Sequence, residues 1–291
     1  MILQQLINGL MLGSVYALIA LGYSMVYGVM KFINFAHGDI YMWGAFFGLL
    51  LARLLGESFI LVLILTMLCT GILGIVVERI AYRPLRKAPR LAVTASALGM
   101  SIVLSNLARL LIGSETYSLP KLWRIQEFNL GSHVVINTLQ LLILLTAVLL
   151  MIFLNWFVNS TRYGKAIRAA AEDQEIAGLM GINIDYVIML TFFIGSALAG
   201  AAGLLVGMYY DAVYATMGFS AGLKAFSAAI LGGIGSIPGA MVGGLVLGIV
   251  ENLGAAVIST YRDGIAFAVM ILVLLFKPGG LFNAFIYQKR V

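Results

Sequence analysis

Polar side chains interrupt apolar stretches of the sequence at three places, where they could hydrogen bond a small solute or carry protons. In the string NFAHGD, Asn34, His37 and Asp39 follow one another closely, while Lys224 and Glu251 lie in two later apolar stretches. Such groups are costly inside lipid, so they are candidates for a pathway. They also have structural uses, because Asn, Gly and Asp cap helices and a lysine can pair with an acid. From the residues alone both interpretations stay open.

A glycine-rich string with one proline, GGIGSIPG (232–239), is a second candidate. Proline and glycine together break a helix and free backbone groups to face a cavity. The other glycines within apolar segments favour close packing of helices. The residues that we predict to line a pathway are therefore Asn34, His37, Asp39, Lys224, Gly232, Gly233, Gly235 and Pro238.

A charged stretch, residues 161–184, separates two long apolar segments. Strong helix formers run from Lys165 to Ala177, and Gly178 and Gly181 are stop signals, so one short helix is predicted. Its basic residues precede its acidic ones, which is the reverse of the order that the helix dipole favours. The stretch is either a solvated connector or a docking helix. A small apolar contact would come from Ile167, Ala170, Ala171 and Ala177. The residues predicted to serve docking are Arg162, Gly164, Lys165, Arg168, Glu172, Asp173, Gly178 and Gly181.

Sequence signatures of catalysis and of metal binding are missing. Gly164 and Lys165 do not complete a phosphate-binding loop, and Pro238 stands where a dinucleotide fingerprint needs its last glycine. The lone Cys69 excludes disulfide, zinc and iron–sulfur frameworks. His37 and His133 are far apart in the sequence and suggest no metal site. We therefore predict that the chain is not an enzyme, cannot hydrolyse ATP itself and carries no cofactor or metal.

The composition places these residues in a membrane. Of 291 residues, 62% are apolar and 10% are charged, and the mean hydropathy is +1.04. A soluble domain is about 45–50% apolar and about 25% charged, so a water-soluble globule is excluded. The 18 lysines and arginines stand mostly in short loops, as in a membrane topology signal and unlike a nucleic-acid-binding surface. One membrane domain covering residues 1–291 is predicted, with no room for a catalytic domain in water.

Eight or nine membrane segments are predicted, in an all-α polytopic bundle. The apolar segments are 6–29, 32–55, 59–79, 92–112, 138–158, 185–209, 212–232, 239–257 and 263–282. Segment 212–232 is weak because it contains Thr216, Ser220 and Lys224. A broken or partly re-entrant element is expected there, which lipid tolerates only where protein buries it or water reaches it.

Basic residues predict which ends of the segments face the cytoplasm. They are concentrated between residues 79 and 90, between 162 and 168, and in the tail at Lys289 and Arg290. The positive-inside rule makes these places cytoplasmic, and the charge-balanced loop 113–137 is then external. Counting segments back from 59–79 puts the N-terminus outside, unless a re-entrant piece near 30–38 inverts it.

An internal repeat is also predicted. A Gly/Ala-rich span, a basic residue, a polar interruption and a second Gly-rich span occur twice. In this alignment 9–28 corresponds to 192–210, and 31–48 corresponds to 223–244. Duplicated halves are common in transporters, whose pathways lie at the broken segments.

Four stretches of the chain resemble the permeases of branched-chain amino acid ABC importers, specifically the LivH-type subunit. They are 8–46, VERIAYRPLR (77–86), 162–183 and 223–253. The resemblance covers essentially the full chain, although 113–137 matches less clearly. It is specific, because NFAHGD and AFSAAILGGIGSIPGA are long strings that composition alone does not explain.

The resemblance implies a heteromeric importer in the bacterial inner membrane. Its other components are a second, homologous permease, two cytoplasmic ATPase subunits that bind ATP and Mg²⁺, and a periplasmic binding protein that captures the amino acid. The 162–183 stretch corresponds to the family's ATPase-contacting segment, with Glu172 and Gly178 at its centre. Here it has the order Ala-Ala-Glu-Asp in place of Glu-Ala-Ala, so roles are not assigned to its single residues.

We therefore expect ATP binding by the partner subunits to push the 162–183 helix and tilt the spans. Charge reversal at Arg168 or Glu172 should then uncouple ATP hydrolysis from uptake without unfolding the spans. Two alternatives stay open. One is a permease for urea, short amides or other amino acids. The other is an ion-coupled secondary transporter in which Asp39 and Glu251 carry protons.

Overall fold

The structure is a computed structural model and describes residues 2–56, 58–86, 88–129, 134–257 and 259–282. His133 and the basic tail with Lys289 and Arg290, which enter the predictions above, lie outside the described residues.

Eleven α-helices and one short β-hairpin make up the regular structure of the described residues. The helices are α1 (Ile2–Met30), α2 (His37–Leu55), α3 (Phe59–Val77), α4 (Arg90–Leu111), α5 (Thr138–Ser160), α6 (Arg162–Glu172), α7 (Gln174–Leu179), α8 (Ile184–Tyr210), α9 (Met217–Gly232), α10 (Ile237–Val257) and α11 (Arg262–Phe276). Strands β1 (Glu127–Asn129) and β2 (Val135–Asn137) are antiparallel. Helix α3 continues through a π-helical turn, Glu78–Tyr82, and a 3-10 turn, Arg83–Leu85.

Eight helical stretches of the described chain are long and apolar enough to cross a membrane, and α9 is a shorter apolar helix of 16 residues. This confirms the predicted all-α bundle of eight or nine segments. Two predicted boundaries are wrong. The segment predicted from residue 32 becomes helical only at His37. The last helix ends at Phe276 rather than near residue 282, because Pro278 and the glycines after it cannot extend it.

Contacts at the two ends of α1 relate the N-terminus to the loops. Near the start of α1, the Gln4 side chain accepts a hydrogen bond from the Val135 amide over 2.9 Å. At its other end, Gln174 Nε2 donates to the Val29 carbonyl oxygen over 2.6 Å. The N-terminus therefore lies at the same end of the bundle as loop 113–137. With the basic loops in the cytoplasm, that end is the outer one.

Close helix packing uses the glycines, as predicted for most of them. Helices α1 and α10 run antiparallel, and the backbones touch at Gly9, Gly13 and Gly248. A methyl group built on Gly13 would lie 2.9 Å from Leu245 Cα, closer than carbon atoms approach. In lipid such packing, and not hydrophobicity, holds helices together.

The internal repeat is visible as two matching turns. The residue after α1 is Lys31 (φ 56°) and the residue after α8 is Asp211 (φ 49°), the only two non-glycine residues with positive φ in the described ranges. After each turn the chain folds back into the bundle without helical structure, and the next helix starts six residues later, at His37 or at Met217. This re-entrant course agrees with the broken element expected at 212–232.

The two halves run in opposite directions, because α1 runs inward and α8 outward. Helix α3 packs on α8 as α10 packs on α1, and a methyl group built on Gly218 would lie 2.6 Å from the Gly38 carbonyl oxygen. The predicted match of 9–28 with 192–210 fits this symmetry. The match of 31–48 with 223–244 is wrong, because the counterpart of the turn at Lys31 is Asp211.

Candidate functional site

The charged stretch between α5 and α8 forms two helices at the basic end of the bundle, so the prediction of one helix is wrong. Asp173 separates α6 from α7 in an extended conformation. Its carboxylate accepts hydrogen bonds from the amides of Glu175 and Ile176 over 2.8 and 2.9 Å. Asp173 thus caps α7, and capping competes with continuing α6.

The three predicted glycines of this stretch have different surroundings. A side chain at Gly164 would meet the carbonyl oxygens of Phe157 and Val158, so this glycine lets α6 pack against the end of α5. Gly178 lies inside α7 and therefore is not a stop signal. Gly181 has a φ of 87° and makes the turn into α8, as predicted for a helix end.

The predicted charged residues of the stretch are exposed, but the predicted apolar contact is directed inward. Arg162, Lys165, Arg168, Glu172 and Asp173 all face outward. Ile167, Ala170 and Ala177 are buried against the chain's own spans, and Ala171 is half-buried. The exposed apolar residues are instead Ile176, Leu179 (83% exposed) and Met180 (79% exposed). No periodic pattern indicated them, because they lie within and directly after a helix of only six residues.

Two contacts connect this segment to the end of α1. Gln174 reaches the Val29 carbonyl oxygen, and Glu172 lies near Lys31. Burial lowers the pKa of Lys31, and the negative charge of Glu172 opposes that decrease. A displacement of α6 and α7 would therefore be transmitted directly to the turn at which α1 ends.

An ion cluster at the same end connects α8 to the turns after α3. Arg83 Nη2 lies 2.5 Å from the Asp185 carboxylate, and Arg86 contacts both Asp185 and Glu78. The Glu78 side chain is only 2% exposed. Because Asp185 stands at the start of α8, the cluster links the end of the α6–α7 segment to the α3–α4 connection.

The NFAHGD string makes the re-entrant turn between α1 and α2. Asn34 Oδ1 accepts hydrogen bonds from the Tyr82 hydroxyl over 2.6 Å and from the Ala36 amide over 3.1 Å. His37 Nε2 lies 3.2 Å from the Ile19 carbonyl oxygen, which can only accept, so that nitrogen carries the proton. Both side chains are buried. These contacts fit the structural interpretation of Asn34 and His37.

Asp39 lies two residues further along α2 and accepts a hydrogen bond from Ser101 of α4. Beside it is a cavity of about 40 Å³, which Gly218 and Gly222 of α9 also line. That space holds little more than a water molecule. Asp39 therefore joins α2 to α4 at the place where α2 crosses α9.

Lys224 lines a much larger cavity, of about 380 Å³, toward the outer end of the bundle. Its Nζ lies 2.9 Å from Glu251 Oε1 and 2.7 Å from Asp263 Oδ1. Arg262 Nε lies 2.6 Å from the same oxygen of Glu251. The structure thus bears out the interpretation of Lys224 as an ion-pair partner and also places it at a cavity.

The GGIGSIPG string forms the hairpin between α9 and α10 at the inner end. The carbonyl oxygens of Leu231 and Gly232 accept hydrogen bonds from the amides of Leu281 and Phe282. The Gly235 amide donates to the Ser24 side chain over 3.4 Å. The backbone groups freed at Gly232 and Gly235 are thus satisfied by hydrogen bonds within the chain. Like Gly233 and Pro238, these residues are absent from the lining of the 380 Å³ cavity.

Several residues of this cavity were not identified from the sequence. They are the lining residues Arg262, Tyr16, Tyr41, Tyr210 and Tyr214, and Asp263, which pairs with Lys224. One sequence feature could have indicated Arg262 and Asp263. They are adjacent opposite charges at the start of the last span, and charges at membrane depth need partners. No such feature indicated the tyrosines, since they come from α1, α2, α8 and the turn after α8, and only the fold brings them together.

A broken and inverted helix repeat, a cavity with paired charges and a charged segment at the inner end together define a multi-pass transport permease. The sequence profile of the family described as "Branched-chain amino acid transport system / permease component" matches residues 5–274. The chain belongs to that family. Its members are permeases, which confirms both the resemblance and the prediction that the chain is not an enzyme.

Individual relatives agree with this membership. The permease protein LivH of a high-affinity branched-chain amino acid transport system from Salmonella typhimurium is 47% identical, over 96% of this chain and 94% of the relative. BraD, the corresponding permease protein of Pseudomonas aeruginosa, is 47% identical over 96% and 95%. Escherichia coli LivH is 46% identical over 96% and 94%.

One solved structure shares the fold. It is PsaBC from Streptococcus pneumoniae in complex with Fab, with a TM-score of 0.50 and 13% sequence identity, covering 97% of this chain and 94% of that one. At this identity the likeness concerns the fold alone.

Proposed function

We propose that this chain is the membrane-spanning permease subunit of an ATP-binding-cassette importer for branched-chain amino acids in a bacterial inner membrane. A periplasmic binding protein delivers the amino acid, and two cytoplasmic ATPase subunits drive transport. A second, homologous permease completes the membrane part. ATP and Mg²⁺ bind to the ATPase subunits, and this chain carries no cofactor.

The observation that carries the proposal is the surface formed by α6 and α7. Exposed charges on α6 are followed by exposed apolar side chains at Ile176, Leu179 and Met180, on a segment that lies outside the membrane spans. Exposed apolar groups beside charges are typical of a docking site for another protein. The segment is joined to α1 through Gln174 and leads into α8 near Asp185. A partner that moves it would shift both halves of the inverted repeat.

Transport by the assembled complex tests the proposal. We expect labelled leucine to enter proteoliposomes that contain this chain, the second permease and the ATPase subunits, in the presence of the binding protein and ATP. Isoleucine and valine should compete, and urea should not. Competition by urea would support the amide permease instead. Uptake by this chain alone, driven by an ion gradient, would support the secondary transporter.

The docking surface makes a first prediction for variants. Replacing Leu179 and Met180 together by serine should reduce ATP-driven leucine uptake at least about tenfold, because central apolar anchors contribute about 2 kcal/mol or more each to an interface. Co-purification of the ATPase subunits should decrease in parallel. Ile125→Ser is the control, because Ile125 is also exposed but lies in the outer loop. Equal recovery of ATPase with both variants would argue against this surface.

Charge reversal on α6 gives a second prediction. Arg168→Glu or Glu172→Lys should uncouple ATP hydrolysis from uptake and leave the spans folded, since both side chains are exposed. Thermal unfolding checks the fold, and the ratio of leucine imported to ATP hydrolysed checks the coupling. Variants that assemble and retain the normal ratio would contradict a docking role for these charges.

A further inference from the structure

The cavity of about 380 Å³ is lined by groups of two kinds. One wall is apolar and comes from α1, α8 and the start of α9, with Leu12, Val15, Ile19, Val206 and Met217. The other wall carries Lys224, Glu251 and Arg262. Ligand pockets measure about 300–1,000 Å³, so a small organic molecule fits the available space.

The charges around the cavity balance and are connected. Lys224 Nζ lies close to Glu251 and Asp263, and Glu251 Oε1 is shared between Lys224 and Arg262. The Glu251 side chain is 0% exposed, the Tyr16 hydroxyl interacts with its carboxylate, and its second oxygen, Oε2, has no well-aligned hydrogen-bond donor among the described residues. A buried carboxylate oxygen without a donor is costly, so an ammonium group that reached it would be stabilised.

The network can also open for a ligand that carries both charges without leaving a charge alone. If Glu251 turns toward a ligand, Lys224 keeps Asp263 as its partner, 2.7 Å away. Arg262 loses Glu251 as its partner and can bind an anionic group beside Lys224, and Glu251 binds a cationic one. Breaking a buried ion pair is expensive only when one partner is left uncompensated. A molecule with one charge of each sign meets this condition, whereas a single ion or a neutral amide does not.

We propose that this cavity is the subsite at which the permease binds its transported amino acid as a zwitterion. The α-carboxylate lies at Lys224 and Arg262, the α-ammonium group at Glu251, and the branched side chain on the apolar wall of α1 and α8. The hydroxyl groups of Tyr16 and Tyr210 interact with Glu251 and Arg262 and so belong to the charged wall. This assignment rests on the proposed function and adds the groups that recognise the substrate in the membrane.

Protection of a cysteine in the cavity tests the assignment. In the assembled transporter, Cys69→Ser removes the chain's own thiol, and Ser220→Cys places a new one on the cavity lining. We expect leucine at about ten times its Kd to slow alkylation of this cysteine about tenfold. The matched control is Phe219→Cys, because Phe219 is the neighbouring residue on α9, is exposed and does not line this cavity. Leucine should leave its alkylation rate unchanged.

Two analogues of leucine separate recognition of a zwitterion from mere filling of space. Isoamylamine lacks the carboxyl group and 4-methylpentanoate lacks the amino group, so neither should protect the cysteine at concentrations at which leucine does. Glu251→Gln should abolish protection by leucine, with protection measured against this variant's own alkylation rate without leucine. Protection that leucine still gives in the Glu251→Gln transporter would overturn the role assigned to Glu251.

The results separate this inference from the proposed function. If the Ser220→Cys transporter imports leucine but leucine does not protect the cysteine, or both analogues protect it equally, the subsite assignment is overturned and the proposed function stands. If no assembly that contains the unmodified chain imports a branched-chain amino acid, the proposed function itself fails.

Discussion

Replacing Arg86 by methionine is expected to lower the free energy of unfolding by about 3–5 kcal/mol, because it leaves the carboxylate of Glu78 buried without its cation. Glu78 is 2% exposed, and Arg86 is the residue that pairs with it in the structure. The loss should appear as a large decrease in the midpoint of thermal unfolding of the purified chain in detergent or nanodiscs.

Arg83→Met is the matched control. Arg83, like Arg86, pairs with Asp185. The side chains of Arg83 and Asp185 are about half exposed, 48% and 52%. Exposed ion pairs contribute about 0–1 kcal/mol, so this variant should unfold close to the temperature of the unmodified protein. Adding Glu78→Gln to Arg86→Met should restore much of the lost stability, because the orphaned charge is then gone. Equal effects of Arg83→Met and Arg86→Met would contradict the role given to the buried pair.

The second large effect is expected where α2 crosses α8. Gly44→Ala should prevent the two helices from packing, because a methyl group at Gly44 would lie 2.8 Å from the Gly200 carbonyl oxygen and closer still to its Cα. These are backbone atoms, which cannot move aside as a flexible side chain can. Overpacking costs about 1–3 kcal/mol or more, and here the cost falls on a contact between the two halves of the repeat.

Gly99→Ala is the control for this prediction. Gly99 lies within α4, and a methyl group there would meet no atom within 4 Å. Alanine is a better helix former than glycine by about 1 kcal/mol, so this variant should be as stable as the unmodified chain or more so. Size-exclusion profiles and unfolding midpoints measured side by side check both. A Gly44→Ala protein that is as stable as Gly99→Ala would show that the helices can separate at this crossing.

These two variants affect different parts of the fold. The pair of Glu78 and Arg86 belongs to the inner ion cluster, where the α6–α7 segment leads into α8. The crossing of α2 and α8 lies inside the membrane, between the cytoplasmic segment and the outer cavity. Helix α8 passes both places and lines the cavity around Lys224, as α1 does, which Gln174 joins to the α6–α7 segment.

Much of the helical architecture could be predicted from the sequence, and its breaks only in part. The apolar segments predicted the spans because lipid requires every backbone group to be satisfied within a helix. The polar residues of 212–232 predicted an interrupted element, and α9 is shorter than a span. The interruption at 31–36 was predicted only as an alternative, a re-entrant piece near 30–38, because Phe32, Ile33 and Phe35 are as apolar as the span that follows. Its turn depends on buried contacts of Asn34 and His37 with distant residues.

The candidate sites could likewise be predicted only in part. The charged stretch 161–184 was identified because charges are rare in this chain. Its break into two helices at Asp173 depends on the capping hydrogen bonds of that one side chain. Lys224 and Glu251 were noticed separately as ionisable groups in apolar segments. Their pairing and the participation of Arg262 follow from the hairpin of α9 and α10 and from α11.

By itself the sequence determined that the chain is a helical membrane protein. It also determined which ends of the spans carry the basic loops and where charged residues interrupt the apolar segments. Each of these properties depends on the summed hydropathy or charge of neighbouring residues. The free energy of transferring a segment from water to lipid depends on the same sum. Only the tertiary structure decided which charges balance one another, which glycines touch and where a cavity remains. Those depend on distances between residues that are far apart in the chain, and in lipid these distances are set by close packing between helices.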